Sequence, residues 1–77
     1  MPESNYYPHE SRQILEALTE ADDKLTYVEI LQRTGISTLI AVSVMGDLLR
    51  NEKITYRMED GVQYFRIKEH FKRRQQR

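Results

Sequence analysis

Apolar residues recur at helical spacing in three stretches of this chain. In the first, Leu18 lies four residues after Ile14 and three after Leu15, a spacing that predicts a helix continuing to about Ala21. Pro8 suits the first turn of this helix, because the amide hydrogen that proline lacks would have no helical partner there. We therefore expect the first helix to run from Pro8 to about Ala21.

The second stretch carries helix signals at both ends. Thr26 and Glu29 have the spacing of a capping box, in which the hydroxyl and the carboxylate each accept a hydrogen bond from a free N–H at the helix start. Gly35 marks the end, since glycine tolerates the left-handed backbone found after many helices. We expect this helix from Tyr27 to about Thr34.

The third stretch is the longest, from Thr38 to about Asn51, with Ser37 as its cap. At 100° per residue, four apolar residues fall on one side of it and are expected in the core. They are Ala41, Val44, Met45 and Leu48. The opposite side carries Leu39, Ser43, Gly46 and Arg50, with Val42 on its flank.

A strand-like period of two replaces the helical period after the third helix. It runs from Ile54 to Met58 and again from Val62 to Ile67, with Glu59, Asp60 and Gly61 between. Asp60-Gly61 favours a two-residue type I′ turn, and a three-residue loop with a bulge at the glycine is the alternative. Leu25 predicts one further, very short extended segment before the second helix.

The two-residue turn fixes which side chains share a face of the hairpin. It places Arg57 opposite Tyr64 and Thr55 opposite Arg66. The inner face is expected to be buried and to carry Ile54, Tyr56, Met58, Phe65 and Ile67. The outer face is expected to expose Arg57, Tyr64 and Arg66, a combination suited to a phosphate backbone. A simple cross-strand cation–π pair on a solvated sheet is the alternative reading of that face.

The composition limits the size and class of the protein. Seventy-seven residues with 39% hydrophobic and 31% charged side chains suit one small globular domain. We expect a flexible arm over 1–7, the domain over 8–67 and a basic tail over 68–77. No apolar run reaches 18 residues, so we expect no membrane contact and a cytoplasmic or nucleoid-associated protein.

The formal net charge of zero hides an asymmetry along the chain. Residues 1–49 hold three basic and eight acidic side chains, a net charge of −5, whereas residues 50–77 hold nine basic and four acidic ones, a net charge of +5. A basic half of this kind favours a polyanion or an acidic protein surface as the partner.

The sequence contains few residues that could form a catalytic or metal-binding site. The chain has no cysteine, and its two histidines, His9 and His70, lie near opposite ends. No nucleophile, base and orienting group can be assembled into a site. We expect a binding module rather than an enzyme, with no metal, cofactor or small-molecule ligand.

The order helix, short strand, helix, tight turn, helix, hairpin resembles a winged helix-turn-helix domain over about Pro8 to Ile67. Within it, Tyr27 to Gly46 is similar to a helix-turn-helix unit, with Gly35 at the turn glycine. Four residues occupy positions that the family keeps apolar: Ile30, Ile36, Ala41 and Val44. The resemblance implies an α+β fold of three helices, a short strand and a C-terminal β-hairpin wing.

The resemblance also implies which residues of the third helix would face a DNA major groove. They are Ser37, Thr38, Leu39, Val42, Ser43 and Gly46, and none has the side chain of Arg, Lys, Asn or Gln that reads base edges. Asp47 would repel the phosphates. We therefore expect weak sequence specificity, with contacts mainly to the DNA backbone. The candidate nucleic-acid contacts are Ser37, Thr38, Ser43, Arg50, Arg57, Tyr64, Arg66, Lys72, Arg73 and Arg74.

The sequence thus predicts a small DNA-binding regulator of transcription, with a homodimer left open. Its partner would be double-stranded DNA. The alternative is a protein-interaction module or adaptor of the same fold, in which Leu39, Val42 and Gly46 dock a protein partner or a second copy.

Overall fold

Three helices and three short strands form an α+β fold. The computed structural model describes residues 7–21 and 24–68. In chain order the elements are α1 (Pro8–Glu20), β1 (Leu25–Thr26), α2 (Tyr27–Thr34), α3 (Thr38–Arg50), β2 (Ile54–Glu59) and β3 (Val62–Ile67). The strands form an antiparallel sheet in the order β1-β3-β2. Each predicted helix and strand is confirmed, with ends within one residue of the expected ones.

The capping signals in the sequence account for the ends of α2 and the start of α3. The Thr26 hydroxyl accepts a hydrogen bond from the Glu29 N–H at 3.2 Å, and the Glu29 carboxylate accepts one from the Thr26 N–H at 2.9 Å. Gly35 ends α2 with a φ of +74°. The Ser37 hydroxyl then accepts a bond from the Ile40 N–H and begins α3. The short connection between the two helices is therefore set by local chemistry.

The hairpin has the two-residue turn, and the three-residue alternative is wrong. Asp60 and Gly61 have φ values of +53° and +78°, as a type I′ turn requires. The predicted register is confirmed, with Arg57 opposite Tyr64 and Thr55 opposite Arg66. β1 adds a third strand on the far side of β3.

One core joins all six elements. The four α3 residues expected inside are buried, and so are Phe65 and Ile67 of β3. The buried apolar residues are Ile14, Ala17, Leu18, Leu25, Ile30, Ala41, Val44, Met45, Leu48, Ile54, Phe65 and Ile67. Tyr7, the first described residue, packs against this core from its edge.

Tyr56 and Met58, predicted to be buried, are exposed at 52% and 59%. They lie on the same face of the hairpin as the buried Ile54, but nearer the turn. Exposure rises from Ile54 toward the turn because the helices cover only the base of the hairpin. The sequence therefore assigns these side chains to the correct face of the hairpin, but no helix in the described part of the chain packs over Tyr56 and Met58 to bury them.

Tyr64 was expected on the exposed outer face and is half-buried instead. It lies on the central strand, so Thr26 of β1 faces it on one side and Arg57 of β2 on the other. The Lys24 ammonium lies 4.7 Å from the centre of its ring. A hairpin of two strands alone would leave this side chain exposed. The third strand, β1, covers part of it.

Within the described residues, no single helix is long and apolar enough to cross a membrane. α2 and α3 reach that length and composition only when they are taken together, across a bend of 116°.

Candidate nucleic-acid interface

Two arginines project from the outer face of the hairpin. Arg57 lies on β2 and Arg66 on β3, and both are exposed. Arg66 is opposite Thr55, two residues before Arg57, so the two arginines are diagonal neighbours on one face. Neither guanidinium group forms an ion pair with another described residue. Both charges are therefore available to an external anion.

A shallow depression on the sheet joins these arginines to a third cation. Its lining includes Thr55, Arg57, Arg66 and Lys68. Lys68 follows directly after β3, and its N–H donates to the Lys53 carbonyl at 2.9 Å, which keeps it in register with the sheet. Three cationic side chains and one hydroxyl can donate hydrogen bonds into this depression, which is the donor set that a phosphate group requires.

The far edge of the same face is occupied by an ion pair. The Lys24 ammonium donates to the Glu59 carboxylate at 2.7 Å, passing over the Tyr64 ring. This hydrogen bond lowers the pKa of the Glu59 carboxyl below its ordinary value. Desolvation opposes the hydrogen bond in part, and attraction to Lys24, Arg57 and Arg66 adds smaller effects that lower the pKa. Glu59 thus stays ionised and neutralises part of the cationic face at the turn end.

The outward side of α3 is apolar and hydroxylic rather than cationic. Leu39 is 85% exposed and Val42 is 57% exposed, while Thr38 and Ser43 are exposed beside them. Gly46 is partly exposed, one turn beyond Val42. This side can offer van der Waals contacts and hydroxyl donors. Apart from Arg50, which is paired with Asp47, it contains no side chain with the paired donor geometry used to read bases.

Arg50 and Asp47 form an ion pair at the end of α3. Asp47 was expected to repel phosphates and Arg50 to attract them. Because the two side chains are paired, their charges offset each other. This end of the helix therefore exerts little net electrostatic attraction or repulsion on a phosphate.

The first turn of α3 is held by α2. The Tyr27 hydroxyl donates to the Thr38 carbonyl at 3.3 Å, while Ser37 caps the helix. The Ser37 and Thr38 hydroxyls, both on exposed residues, lie together at the start of α3.

The structure thus brings Arg57, Tyr64 and Arg66 onto one face, with Tyr64 half-covered. It places Ser37 at the cap of α3, and Thr38 and Ser43 on the helix. Lys72, Arg73 and Arg74 lie outside the described residues.

Among the cations of this face, the sequence reading missed Lys24 and Lys68. The alternation of Tyr64 and Arg66 along β3 extends to Lys68, so that residue could have been found. Lys24 reaches the face only because β1 pairs with β3, and the paired residues Leu25 and Phe65 are 40 positions apart in the chain. No short sequence motif predicts that pairing.

Among residues 7–21 and 24–68, no group of three or more His, Cys, Asp or Glu side chains is placed to hold a metal ion. His9 is exposed near the start of α1, and His70 lies beyond the described part.

Comparison of the chain with protein-family models, with curated proteins and with solved structures finds no match.

Proposed function

We propose that this chain is a small winged helix-turn-helix protein that binds double-stranded DNA mainly through the phosphate backbone. The element order supports the fold, with α2 and α3 as the helix-turn-helix unit and β2–β3 as the wing. The two helices are separated by three residues that include Gly35, and they bend by 116°. Helix-turn-helix units join their helices at about 90–120° through a turn of this length that often contains glycine.

The pair of exposed arginines on the outer face of the wing is the observation that carries the DNA proposal. Arg57 and Arg66 form no ion pair with another described residue, and Lys68 adds a third charge beside them. A guanidinium group forms charge-assisted, often bidentate hydrogen bonds with phosphate. A second acidic chain could use the same charges, but a duplex offers phosphates at regular spacing along a groove edge that a narrow hairpin can follow.

The outward side of α3 supports weak rather than strong sequence selectivity. The Ser37, Thr38 and Ser43 hydroxyls can donate to phosphates, and Leu39 and Val42 can contact thymine methyl groups. A regulator of this kind acts in transcription by occupying DNA in the cytoplasm or nucleoid, with selectivity that depends on DNA shape or on a partner.

The salt dependence of DNA binding tests the wing directly. Counterion release gives a log–log slope of about −0.9 for each neutralised phosphate, so the few contacts proposed here predict a slope of about −4 for the wild type. The double variant Arg57→Ala, Arg66→Ala should flatten the slope by about two units. Fluorescence anisotropy with a labelled duplex at a series of salt concentrations gives both values.

Arg12→Ala, Arg33→Ala is the matched control, because it removes the same charge from exposed positions on α1 and α2. Its slope should stay close to that of the wild type. Equal flattening in the two double variants would show that net charge alone, and not the wing, governs binding.

A protein-interaction module is the second candidate, and the exposure of Leu39 at 85% favours it. The core of a protein interface is richer in apolar side chains than its rim. In that case α3 docks a protein, and the cationic wing attracts its acidic rim.

Leu39→Glu separates the two candidates. Because Leu39 is outside the core, the variant should fold with wild-type stability. If α3 lies against DNA, the new carboxylate should weaken duplex binding about fivefold, which corresponds to roughly 1 kcal/mol of repulsion from a phosphate at 4 Å in water. Val28→Glu, at a 58% exposed position on α2, is the control and should bind DNA as the wild type does. Unchanged DNA affinity in Leu39→Glu would show that this side of α3 does not contact the duplex.

A further inference from the structure

β2 is an edge strand with one neighbour in the described part of the chain. The sheet order β1-β3-β2 leaves its second edge facing outward. β2 spans six residues, from Ile54 to Glu59. An edge strand presents a row of backbone N–H and C=O groups that can pair with another chain.

The phase of the β2–β3 ladder shows which backbone groups face outward. The Lys68 N–H donates to the Lys53 carbonyl, so this opposed pair is hydrogen-bonded. Hydrogen-bonded pairs alternate along an antiparallel ladder. The residues whose backbone groups face the β3 side are therefore Lys53, just before β2, and Thr55, Arg57 and Glu59 within it. The residues between them direct their N–H and C=O groups to the open edge: Ile54, Tyr56 and Met58.

The same residues carry the apolar face of the strand. Tyr56 is 52% exposed and Met58 is 59% exposed, next to Phe65, whose ring centre is 6.1 Å from that of Tyr56. Open hydrogen-bonding groups and exposed apolar side chains thus coincide at one edge. Solvent-exposed edges of monomeric proteins usually carry inward-pointing charges or a bulge that discourages pairing, and the inner side of β2 has neither.

We propose that two copies of this chain pair antiparallel through β2, with the twofold axis at Tyr56, and form one continuous six-stranded sheet. In this register Tyr56 lies opposite Tyr56 of the partner subunit, and Ile54 lies opposite Met58 of the partner subunit. On the outer face Lys53 lies opposite Glu59 of the partner subunit. The apolar side chains meet on one face and the charges are complementary on the other.

Charge complementarity selects this register over its neighbours. Residues directly opposite in an antiparallel pair share a face, so only shifts that keep inner residues opposite inner residues are allowed. Centring the axis on Arg57 would place two arginines opposite each other, and centring it on Thr55 would place Lys53 opposite Arg57. Like charges in these positions are destabilising. Centring it on Met58 would leave only 57–59 to pair before the turn.

Charge exchange between Lys53 and Glu59 tests the proposal. Lys53→Glu places two carboxylates opposite each other at both ends of the interface, and Glu59→Lys places two ammonium groups there. Each single variant should weaken dimerisation at least about tenfold, because two attractive contacts become repulsive. In an equimolar mixture of the two variants both contacts are complementary again, so a heterodimer should form with close to wild-type affinity.

Sedimentation equilibrium over about a hundredfold range of concentration measures these affinities, because dimerisation follows mass action. Circular dichroism confirms that each variant is folded. A single-chain mass for the wild type at the highest concentration would overturn the proposal. So would a dimer that both single variants leave intact, or a mixture that stays monomeric.

A matched pair of lysine substitutions tests the edge independently of those charges. Met58→Lys puts a charge on the inner face of the edge strand, whereas Gln63→Lys puts the same charge directly opposite on the central strand. Both positions are exposed, so neither variant loses core packing. Met58→Lys should weaken dimerisation at least about tenfold and Gln63→Lys much less. Equal effects would show that β2 is not the interface.

Discussion

Glu59 shows how the charges on the hairpin act on a single residue. Its carboxylate accepts a 2.7 Å hydrogen bond from Lys24, and Arg57 and Arg66 add attraction. These contacts favour the ionised form, so the pKa of Glu59 is lower in the folded chain than in the unfolded one. The pair is exposed to water, which screens it and keeps its contribution to stability small.

The pH dependence follows from the direction of this shift. A lowered pKa contributes stability that is present above the ordinary value of 4.5 and is lost as the pH falls through the lower, folded value. In an NMR titration the Glu59 carboxyl should titrate below 4.5 in the wild type and move back toward 4.5 in Lys24→Ala. Arg12→Ala, which removes a charge from α1, should leave it in place. No change in Lys24→Ala would contradict the ion pair.

At the residue level, the sequence predicts burial well where neighbours along the chain decide it. The helical spacing of the apolar residues in α3 is enough to predict that Val44 and Leu48 lie on the inner side, and both are buried. Tyr56 and Tyr64 show the limit of such reasoning. The exposure of Tyr56 depends on how far the helices extend over the sheet, and the cover over Tyr64 depends on β1.

At the scale of the elements, two glycines differ in backbone conformation: Gly35 ends a helix, whereas Gly46 lies within one. Gly35 follows α2 in the left-handed region, with a φ of +74°. Gly46 lies inside α3 with helical backbone, and a Cβ there would meet only the flexible end of Arg50, at 3.6 Å. The same substitution should therefore have opposite effects at the two sites.

Gly46→Ala should stabilise the fold by about 1 kcal/mol, since alanine loses less backbone entropy in a helix. Gly35→Ala should destabilise it by roughly 1–2 kcal/mol through left-handed strain. Urea unfolding of both variants measures the two values. A destabilising Gly46→Ala would show that α3 is more tightly surrounded than its contacts indicate.

Elements with strong end signals could be predicted from the sequence almost to the residue. The capping box at Thr26, the glycine at the end of α2 and the Asp60-Gly61 turn each specify backbone geometry within a few residues. The pairing of β1 with β3 could not be predicted, because α2, α3 and β2 lie between Leu25 and Phe65 in the chain and no short-range signal connects the two strands. The same distinction applies to the residues of the candidate site. The positions of Arg57 and Arg66 could be predicted from the two-residue turn, whereas the position of Lys24 depends on the pairing of β1 with β3 and could not.

At the scale of the whole molecule, the single core predicts one cooperative transition. Ile14 and Leu18 of α1, Ile30 of α2 and Phe65 of β3 belong to the same buried cluster. Removal of one element would therefore expose the apolar side of the others. Small domains of this kind unfold in a single two-state step.

Circular dichroism, which follows the helices, and the NMR amide signals of residues 54–67, which follow the hairpin, should give the same urea midpoint. Leu18→Ala should lower stability by about 2–5 kcal/mol in both signals, because Leu18 is fully buried. Leu39→Ala makes the same chemical change at an 85% exposed position and should stay within about 0.5 kcal/mol of the wild type. Separate midpoints for the two signals would mean that the hairpin unfolds independently.

The central place of β3 in the sheet has a consequence for the order of events during synthesis. β3 lies between β1 and β2, yet it is the last of the six elements to leave the ribosome. Until Phe65 and Ile67 emerge, β1 has no strand to pair with and the apolar sides of α1 and α3 lack their cover. The nascent chain therefore cannot complete its core one element at a time. Folding is expected only once residue 67 is free, so apolar surface that a chaperone can bind persists until β3 has been synthesised.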